Sequence, residues 1–515
     1  MFEVIVAGAG PVGLTTALFL ADRGIRVLVV DKRDPLNAPP RASASVRTLE
    51  LFRSIGLGPK LDEIAWDAPA PLHSVVKYSA IGAVRHTAAP PPEYTDWLES
   101  GSPVNIRRSV TQYEVQRIAL DEFRRRGGRV RFDAELVGFD TGPAGVRATV
   151  ADTVTGAEDE VSCAYLIGAD GARSRVRQLL DIEMRDRQVA ARLNTAFFRA
   201  DLGRLLPESA TRFCFIRNDQ VYCTLFAKGA DGKQWSSHIM DYPGKPAELT
   251  TLPPEQTIRL LHNAIGDDSV PIDLLECNAW EAAIAIAAEF RRDRVFLAGD
   301  AAHTQSSAGG LGMNTGIQDG HNLAWKLAAV LRGQAAATLL DSYEPERRTA
   351  ATASLALSQR MLRGYQAQGD TNELYAQLAA DYLRGMMCYQ YTEGAVIFDG
   401  QADSDVLTGQ AVPGRRLPHR WLTAGLSTLD LVGTQWSLLT GPRGAAWQSA
   451  TQAAGLGIQV RQLADGFIDM AGIEPDGALL VRPDQFVAWR SPVLPASPED
   501  VIGEVVDTLF GSTRS

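Results

Sequence analysis

Apolar runs and polar breaks divide this chain unevenly. The first 34 residues read as strand, helix, strand. "EVIVAG" is a short apolar run. "GLTTALFLADRG" sets Leu14, Ala17, Leu18 and Ala21 on one helical face, with Gly24 as its stop. "IRVLVVDK" is apolar at successive positions, as strands buried in parallel sheets are. The text from about 70 to 106 is rich in Pro, Ala and Ser and predicts loop with short strands. "SVTQYEVQRIALDEFRRRGG" predicts a helix with a glycine stop, and "GRVRFDAELVGFD" and "VRATVADTVTGAEDEVSCAYLIGAD" predict strands joined by turns. Between about 178 and 283, segments such as "TRFCFIRND", "QVYCTLFAK" and "KQWSSHIMDY" suit an antiparallel sheet, with Tyr222, Phe226 and Trp235 as sheet packing. "DRVFLAGD" is another buried strand. Helical text follows to about 395, and its first helix carries Ala324, Leu327, Ala328 and Leu331 on one apolar face. After "AVPGRRLPH", strand-like and helix-like segments alternate to the end, predicting a separate small α/β domain.

Composition narrows what such a chain does. At 515 residues it exceeds a single domain. A net charge of −10 argues against nucleic acid as a partner, because backbone binding needs concentrated Lys and Arg. No apolar stretch reaches the roughly 18 residues of a membrane span. The five cysteines, Cys163, Cys214, Cys223, Cys277 and Cys388, form no CxxC pair and fit no closed disulfide set. With no leader before the first strand, the expectation is a reduced, cytoplasmic protein.

"GAGPVG" (Gly8, Gly10, Pro11, Val12, Gly13) follows a strand, opens a helix, and is trailed by Asp31 and Lys32 at the end of the next strand. This is the context a dinucleotide fingerprint requires. Gly8 makes the turn, Gly10 lets backbone approach a pyrophosphate, and Gly13 lets helix and strand pack closely. The helix start offers N–H groups to phosphate, and Asp31 can accept from ribose hydroxyls. The fingerprint does not choose between NAD and FAD.

Two further strand-end motifs follow in order, "LIGADGARSRVRQLL" and "VFLAGDAAH". With all three, the chain resembles the flavin-dependent aromatic hydroxylases, the class A flavoprotein monooxygenases of para-hydroxybenzoate hydroxylase-like fold. It is most similar to bacterial phenol and aromatic polyketide hydroxylases with a thioredoxin-like C-terminal domain. The resemblance implies an α/β fold. A doubly wound FAD-binding domain (1–69, 107–177 and 284–345) would be interrupted by an antiparallel substrate-binding domain (70–106 and 178–283). A helical linker region (346–395) and a thioredoxin-like α/β domain (396–515) would follow, the last without CxxC and so without thiol–disulfide chemistry.

For the cofactor site, the resemblance implies that Asp300, after Gly299, bonds the ribityl chain of FAD. Asp170, with Gly171, belongs with pyrophosphate and NAD(P)H, Arg41 with the flavin phosphates, Gln112 with the cofactor, and Leu136 with the adenine end. Gly310, Leu311, Gly312, Met313 and Asn314 open a helix. The N–H groups of the last three would face the N1–C2=O edge of the flavin, where a helix N-terminus stabilises an anion by up to ~2 kcal/mol. One departure stands out: relatives carry proline in H-x-x-x-P-x-G-G, and here that position is Ser307.

The implied activity is that of an FAD-dependent monooxygenase consuming NADPH or NADH. It would hydroxylate a small aromatic or polyketide substrate with molecular oxygen through a flavin C4a-hydroperoxide, in natural-product biosynthesis. The residue that ionises the phenol is not named by the sequence. The same flavin core could instead perform epoxidation, Baeyer–Villiger insertion or other oxidative tailoring. A non-oxygenating flavin or ligand binder is the reading from another class. His303 and His321 lack metal-ligand spacing, so no metal is expected. Neither nucleic acid nor membrane is an expected partner, and a homodimer is allowed.

Overall fold

The computed structural model describes residues 2–37, 42–67, 74–88, 92, 96, 99–105, 108–206, 213–228, 231–240, 250–366, 372–401, 409–453 and 457–511. Arg41 lies outside them.

Three sheets carry the fold. The first has six strands in the order Arg291–Arg292, Val295–Leu297, Tyr165–Gly168, Val4–Ala7, Val27–Val30 and Arg129–Arg131. All neighbours are parallel except the Arg291–Arg292 edge. Val4–Ala7, Val27–Val30 and Tyr165–Gly168 are buried at every position, which is why their sequences do not alternate. Helix Pro11–Asp22 packs between helices Gln112–Arg125 and Leu311–Leu331. Gln112–Arg125 starts at a Thr111–Glu114 capping box.

The second sheet has eight strands: His303–Thr304, Asp273–Ala287, Met184–Arg199, Gln234–Met240, Tyr222–Ala227, Phe213–Arg217, Ser74–Lys77 and Val84–Ala88. Only Phe213–Arg217 and Ser74–Lys77 run parallel; every other pair is antiparallel. One face packs Ala196, Phe198, Leu225, Trp235 and Ile239 against Leu261 and Ala264 of helix Pro254–Ile265. The edge strand His303–Thr304 comes from the turn after "VFLAGD", so the two sheets meet where the glycine-rich loop begins.

The third sheet orders Gln459–Gln462, Ser437–Thr440, Ala478–Val481 and Val487–Ser491. Its first pair is parallel and the next two are antiparallel, flanked by helices Ala445–Ala453 and Pro498–Phe510: a thioredoxin-like arrangement. This unit is less separate than its text suggests. Leu438, Leu480 and Trp447 share one core with Trp325 and Ala329 of helix Leu311–Leu331. That helix is therefore not amphipathic. Nearly its whole circumference is buried, because helices Pro11–Asp22, Val46–Ser54 and Tyr343–Gln366 and the core of the third sheet surround it. Helices Tyr343–Gln366 and Asn372–Met387 set Leu357, Met361 and Leu383 against Ala308 and Leu311. None of the described helices is long and apolar enough to cross a membrane.

Candidate active site

The first motif folds as its spacing demands. Gly8 has φ +105°, and a Cβ there would meet the Ala169 carbonyl oxygen at 2.3 Å, so the turn is closed to side chains. A Cβ on Gly13 would meet the Gly8 carbonyl oxygen at 1.9 Å, while one on Gly10 would meet nothing within 4 Å. Gly10 thus borders open space. Pro11 opens the helix and no side chain caps Gly10, which leaves the first backbone N–H groups for a ligand. The Ala9 N–H donates to Asp31 Oδ2 (2.6 Å) and the Arg33 N–H to Oδ1 (2.9 Å), so Asp31 is fixed at the edge of this loop. Lys32 pairs with Glu135 on the rim (3.0 Å), and the Leu136 side chain is buried where its strand shifts register before Gly138.

The third motif closes on the first. A Cβ on Gly316 would meet a Val12 methyl at 2.5 Å and Gly299 Cα at 2.9 Å, and one on Gly320 would meet Thr16 Oγ1 at 1.9 Å. Gly312, Gly316 and Gly320 recur every four residues, so they line one stripe of the helix and let it touch helix Pro11–Asp22. Val12 also lies 2.9 Å from where a Gly299 Cβ would be. Two helix N-termini therefore converge, each capped by glycine (Gly10 and Gly310) and neither by a side chain.

Asp300 stands between them. It is exposed to solvent, and its carboxylate has no hydrogen-bond partner among the described residues. The surrounding protein raises its carboxyl above the usual range, and His303 opposes that shift. A carboxylate left unmatched in so paired a neighbourhood is a group waiting for a polar ligand.

Several other expected residues have work within the protein. Asp170 accepts from Ser174 Oγ (2.5 Å) and from the N–H groups of Arg175 (2.6 Å) and Val176 (3.1 Å), so its carboxylate ties down a turn that packs on Gly8. Gln112 donates its backbone N–H to the Ala42 carbonyl (2.8 Å) and its Nε2 to Gln116 Oε1 (3.1 Å).

The helix starts at Leu311, after Gly310. Its unbonded first-turn N–H groups thus belong to Leu311, Gly312 and Met313, one residue earlier than the sequence pattern places them. The i→i−4 spacing sets the Asn314 amide opposite Gly310. The Asn314 side chain is also occupied. It accepts from the Ser45 N–H (2.8 Å) and Thr48 Oγ1 (2.7 Å) and donates to the carbonyls of Ser43 (3.1 Å) and Gly310 (2.8 Å). Asn314 braces the loop instead of facing outward.

Sequence reasoning missed the group that holds the loop in place. Asp319 is fully buried. It accepts from the Gly299 N–H (3.0 Å) and Arg347 Nε (2.7 Å), and its Oδ2 lies 2.7 Å from His303 Nε2. Burial alone would raise its carboxyl, but His303 and Arg347 hold it below the usual range. In a helix reading "NTGIQDGHN", nothing marks Asp319 as interior; the four-residue glycine spacing was the available clue. Among the described residues no group of His, Cys, Asp and Glu could hold a metal. His303 serves Asp319, and His321 packs edge-on to Phe19.

Comparison with known proteins gives the arrangement a family. Residues 1–358 match the FAD binding domain model, and residues 410–513 match the aromatic-ring hydroxylase C-terminal model. The chain is 34% identical to a tetracenomycin A2 monooxygenase-dioxygenase of Streptomyces glaucescens, covering 98% of this chain and 96% of that one. It is 32% identical to a 4-methyl-5-nitrocatechol 5-monooxygenase of a Burkholderia species, over 98% and 97%. It superposes on an aklavinone-11 hydroxylase solved with FAD and aklavinone at TM-score 0.88 and 31% identity, covering 99% of both chains. The chain belongs to the FAD-dependent aromatic-ring hydroxylases and is an FAD-dependent monooxygenase.

Proposed function

We propose that the chain hydroxylates a phenolic or polyketide ring with FAD laid across the two converging helix starts and a nicotinamide as transient reductant. The six-stranded unit is then the FAD-binding domain and the eight-stranded unit the substrate-binding domain. The observation that carries this reading is Asp300, an accessible carboxylate without a partner among the described residues, between two glycine-capped helix N-termini. A phosphate-bearing, polyhydroxylated cofactor fits that donor set. The backbone N–H groups of Gly10 and Val12 would take the pyrophosphate, Asp31 the adenosine ribose, Asp300 the ribityl hydroxyls, and the N–H groups of Leu311, Gly312 and Met313 the electron-rich edge of the ring.

When bound and reduced, FAD supplies the activation of oxygen. The chain's own contribution is position and exclusion. Asp319 fixes the Gly299 turn, Asn314 fixes the loop to Ser43–Thr48, and Leu357, Met361 and Leu383 cover the loop with apolar surface. Five unpaired thiols, three of them buried, suit a reducing, cytoplasmic setting. Purified protein should be yellow, and its NAD(P)H oxidation should rise with an aromatic phenol, giving a product one oxygen heavier with its ring intact. A colourless protein that neither binds FAD nor consumes NAD(P)H would overturn the reading. A product with an expanded ring or an epoxide would replace hydroxylation by another oxygen insertion.

A further inference from the structure

The eight-stranded sheet turns a second face away from helix Pro254–Ile265. It begins at Ala191, which packs on the apolar cluster that includes Ala308 and Leu311 of the glycine loop. It continues through Leu193 to Thr195, in unbroken register with Ala282, Trp280 and Asn278. Alternation along a strand puts Ala191, Leu193 and Thr195 on one side. From Thr195 onward this side becomes polar.

Trp280 Nε1–H donates to Thr195 Oγ1 (2.8 Å), and Thr195 Oγ1 lies 2.8 Å from His238 Nδ1. Trp280 can only donate, and Thr195 has one proton to give. With Trp280 donating into its oxygen, we assign Thr195 as the donor to Nδ1, which places the imidazole proton on Nε2. The ring is neutral, because burial and then the charge of Lys228 press it to about 3. Nε2 has no partner among the described residues.

Two more groups point the same way. Ser236, on the same face two residues from His238, is 1% exposed, and its hydroxyl is without a partner among the described residues. Lys228 Nζ sits 4.8 Å from the centre of the Phe226 ring, itself edge-on to His238 at 5.1 Å, and has no acidic partner among the described residues. The acid on the adjoining strand, Glu276, is engaged by Asn278. Donors and a cation gather here without a carboxylate to answer them, which is the chemistry of a site for an electron-rich oxygen.

We propose that this strip is the far end of the substrate site. His238 Nε2–H, oriented by Thr195, grips an acceptor oxygen, a phenolate or ring carbonyl, on a fused-ring substrate whose other end lies at the glycine loop. The proposal rests on the aromatic-hydroxylase reading and narrows its substrate class. Four residues separate Ala191 from Thr195, and a strand advances ~13 Å over that distance. A single ring does not span it; a fused polycycle does. His238 is then a specificity-determining residue and Thr195 a positioning residue.

The test uses the FAD-loaded full chain and equilibrium dialysis with two probes, 1,4-dihydroxyanthraquinone and 2,4-dichlorophenol. His238→Leu should weaken binding of the tricycle about tenfold while leaving the single-ring phenol unchanged. Thr195→Val should weaken the tricycle less, and His238→Gln, which keeps an N–H donor, should recover part of the loss. An unchanged tricycle affinity in His238→Leu, or equal losses for both probes, overturns the proposal. Should His238→Leu fail to retain FAD, an unchanged affinity in Thr195→Val overturns it instead. If neither probe binds the unaltered enzyme or raises its NAD(P)H oxidation, the hydroxylase reading falls as well. If both bind and only the variants are indifferent, this inference alone falls.

Discussion

Two polar regions lie on the same long helix and are built to opposite ends. On one side, the turn Arg482–Gln485 of the third sheet enters a socket of charge. Arg482, fully buried, holds Glu346 (2.8 Å) and Asp484 (2.6 Å); Lys326 holds Glu346 (2.8 Å); Arg47 holds Glu50 (2.9 Å) and the Asp484 carbonyl (2.7 Å). Arg416 closes on Glu50 from the same unit. Every carboxylate there is paired. On the other side, at the N-terminus of helix Leu311–Leu331, Asp300 has no partner among the described residues and the backbone donors have no side-chain cap. The socket is complete without a ligand and serves the fold; the cradle is completed only by one. A polar group's partners therefore separate structural charge from functional charge better than its burial does.

The largest effect should come from breaking the socket. Removing one partner of a buried ion pair strands the other charge, at a cost of about 3–5 kcal/mol. Arg482→Met should lower the melting temperature by that measure and loosen the C-terminal unit, seen as proteolysis between the second and third sheets. An unchanged melting temperature would mean the socket carries no stability.

Acid should destabilise the protein through the socket and not through the cradle. Burial alone would raise the carboxyls of Glu50, Glu346 and Asp484, but Arg416 and Arg47 hold Glu50, and Arg482 holds the other two, below the usual range. A carboxyl lowered in the folded state contributes stability that is full above its unfolded value and lost as pH falls through the folded one. Stability should therefore stay level from pH 7 to about 5 and fall below about 4. In Arg482→Met these carboxyls lose the charge that lowers them, so this acid-linked loss should shrink from a lower starting stability. Asp300, raised instead of lowered, works against this acid limb, because protonation relieves its cost as pH falls. Urea unfolding at a series of pH values reads both.

The cradle should answer to ligand and not to stability. Asp300→Ala removes a charge-assisted hydrogen bond, ~1.5–3 kcal/mol, or roughly ten- to a hundredfold in FAD affinity. The melting temperature of the FAD-free protein should not fall, because no protein partner is orphaned. FAD retained at full occupancy at low added cofactor would remove Asp300 from the site.

These contrasts show how far the sequence was legible. The centre of the six-stranded sheet could be read because its inner strands are apolar along their length, and the first motif because Gly8 and Gly13 are forced by sterics visible in their spacing. The C-terminal order of strands and helices was legible from alternation. Asp319, Glu346 and Arg482 were not. A buried ion is recognised by what surrounds it, and its partners lie tens to hundreds of residues away in the chain. The His303–Thr304 edge strand was hidden for the same reason: two residues carry no period.

The smallest effect, and the finest test of the cradle, is at Ser307. Its φ of −71° already lies in the range proline fixes, its carbonyl accepts from the Gly310 N–H (3.0 Å) and would still do so, and its side chain is exposed. Ser306 and Ser358 anchor the loop from behind (2.5 Å), so the backbone is held even without a ring. Ser307→Pro should therefore be accepted and should stabilise by about 0.4–1 kcal/mol, through the unfolded chain. The functional reading is sharper than the energy. If serine leaves the loop loose enough to admit water, the enzyme with substrate present releases hydrogen peroxide for part of the NAD(P)H it consumes, and the proline variant releases less. If the Ser307 hydroxyl or N–H takes part in oxygen transfer, the variant instead loses product while its peroxide yield stays the same. Peroxide and product measured per NAD(P)H in both proteins decide between them. We expect the first outcome, because it needs only a stiffer backbone at a position whose geometry already suits proline.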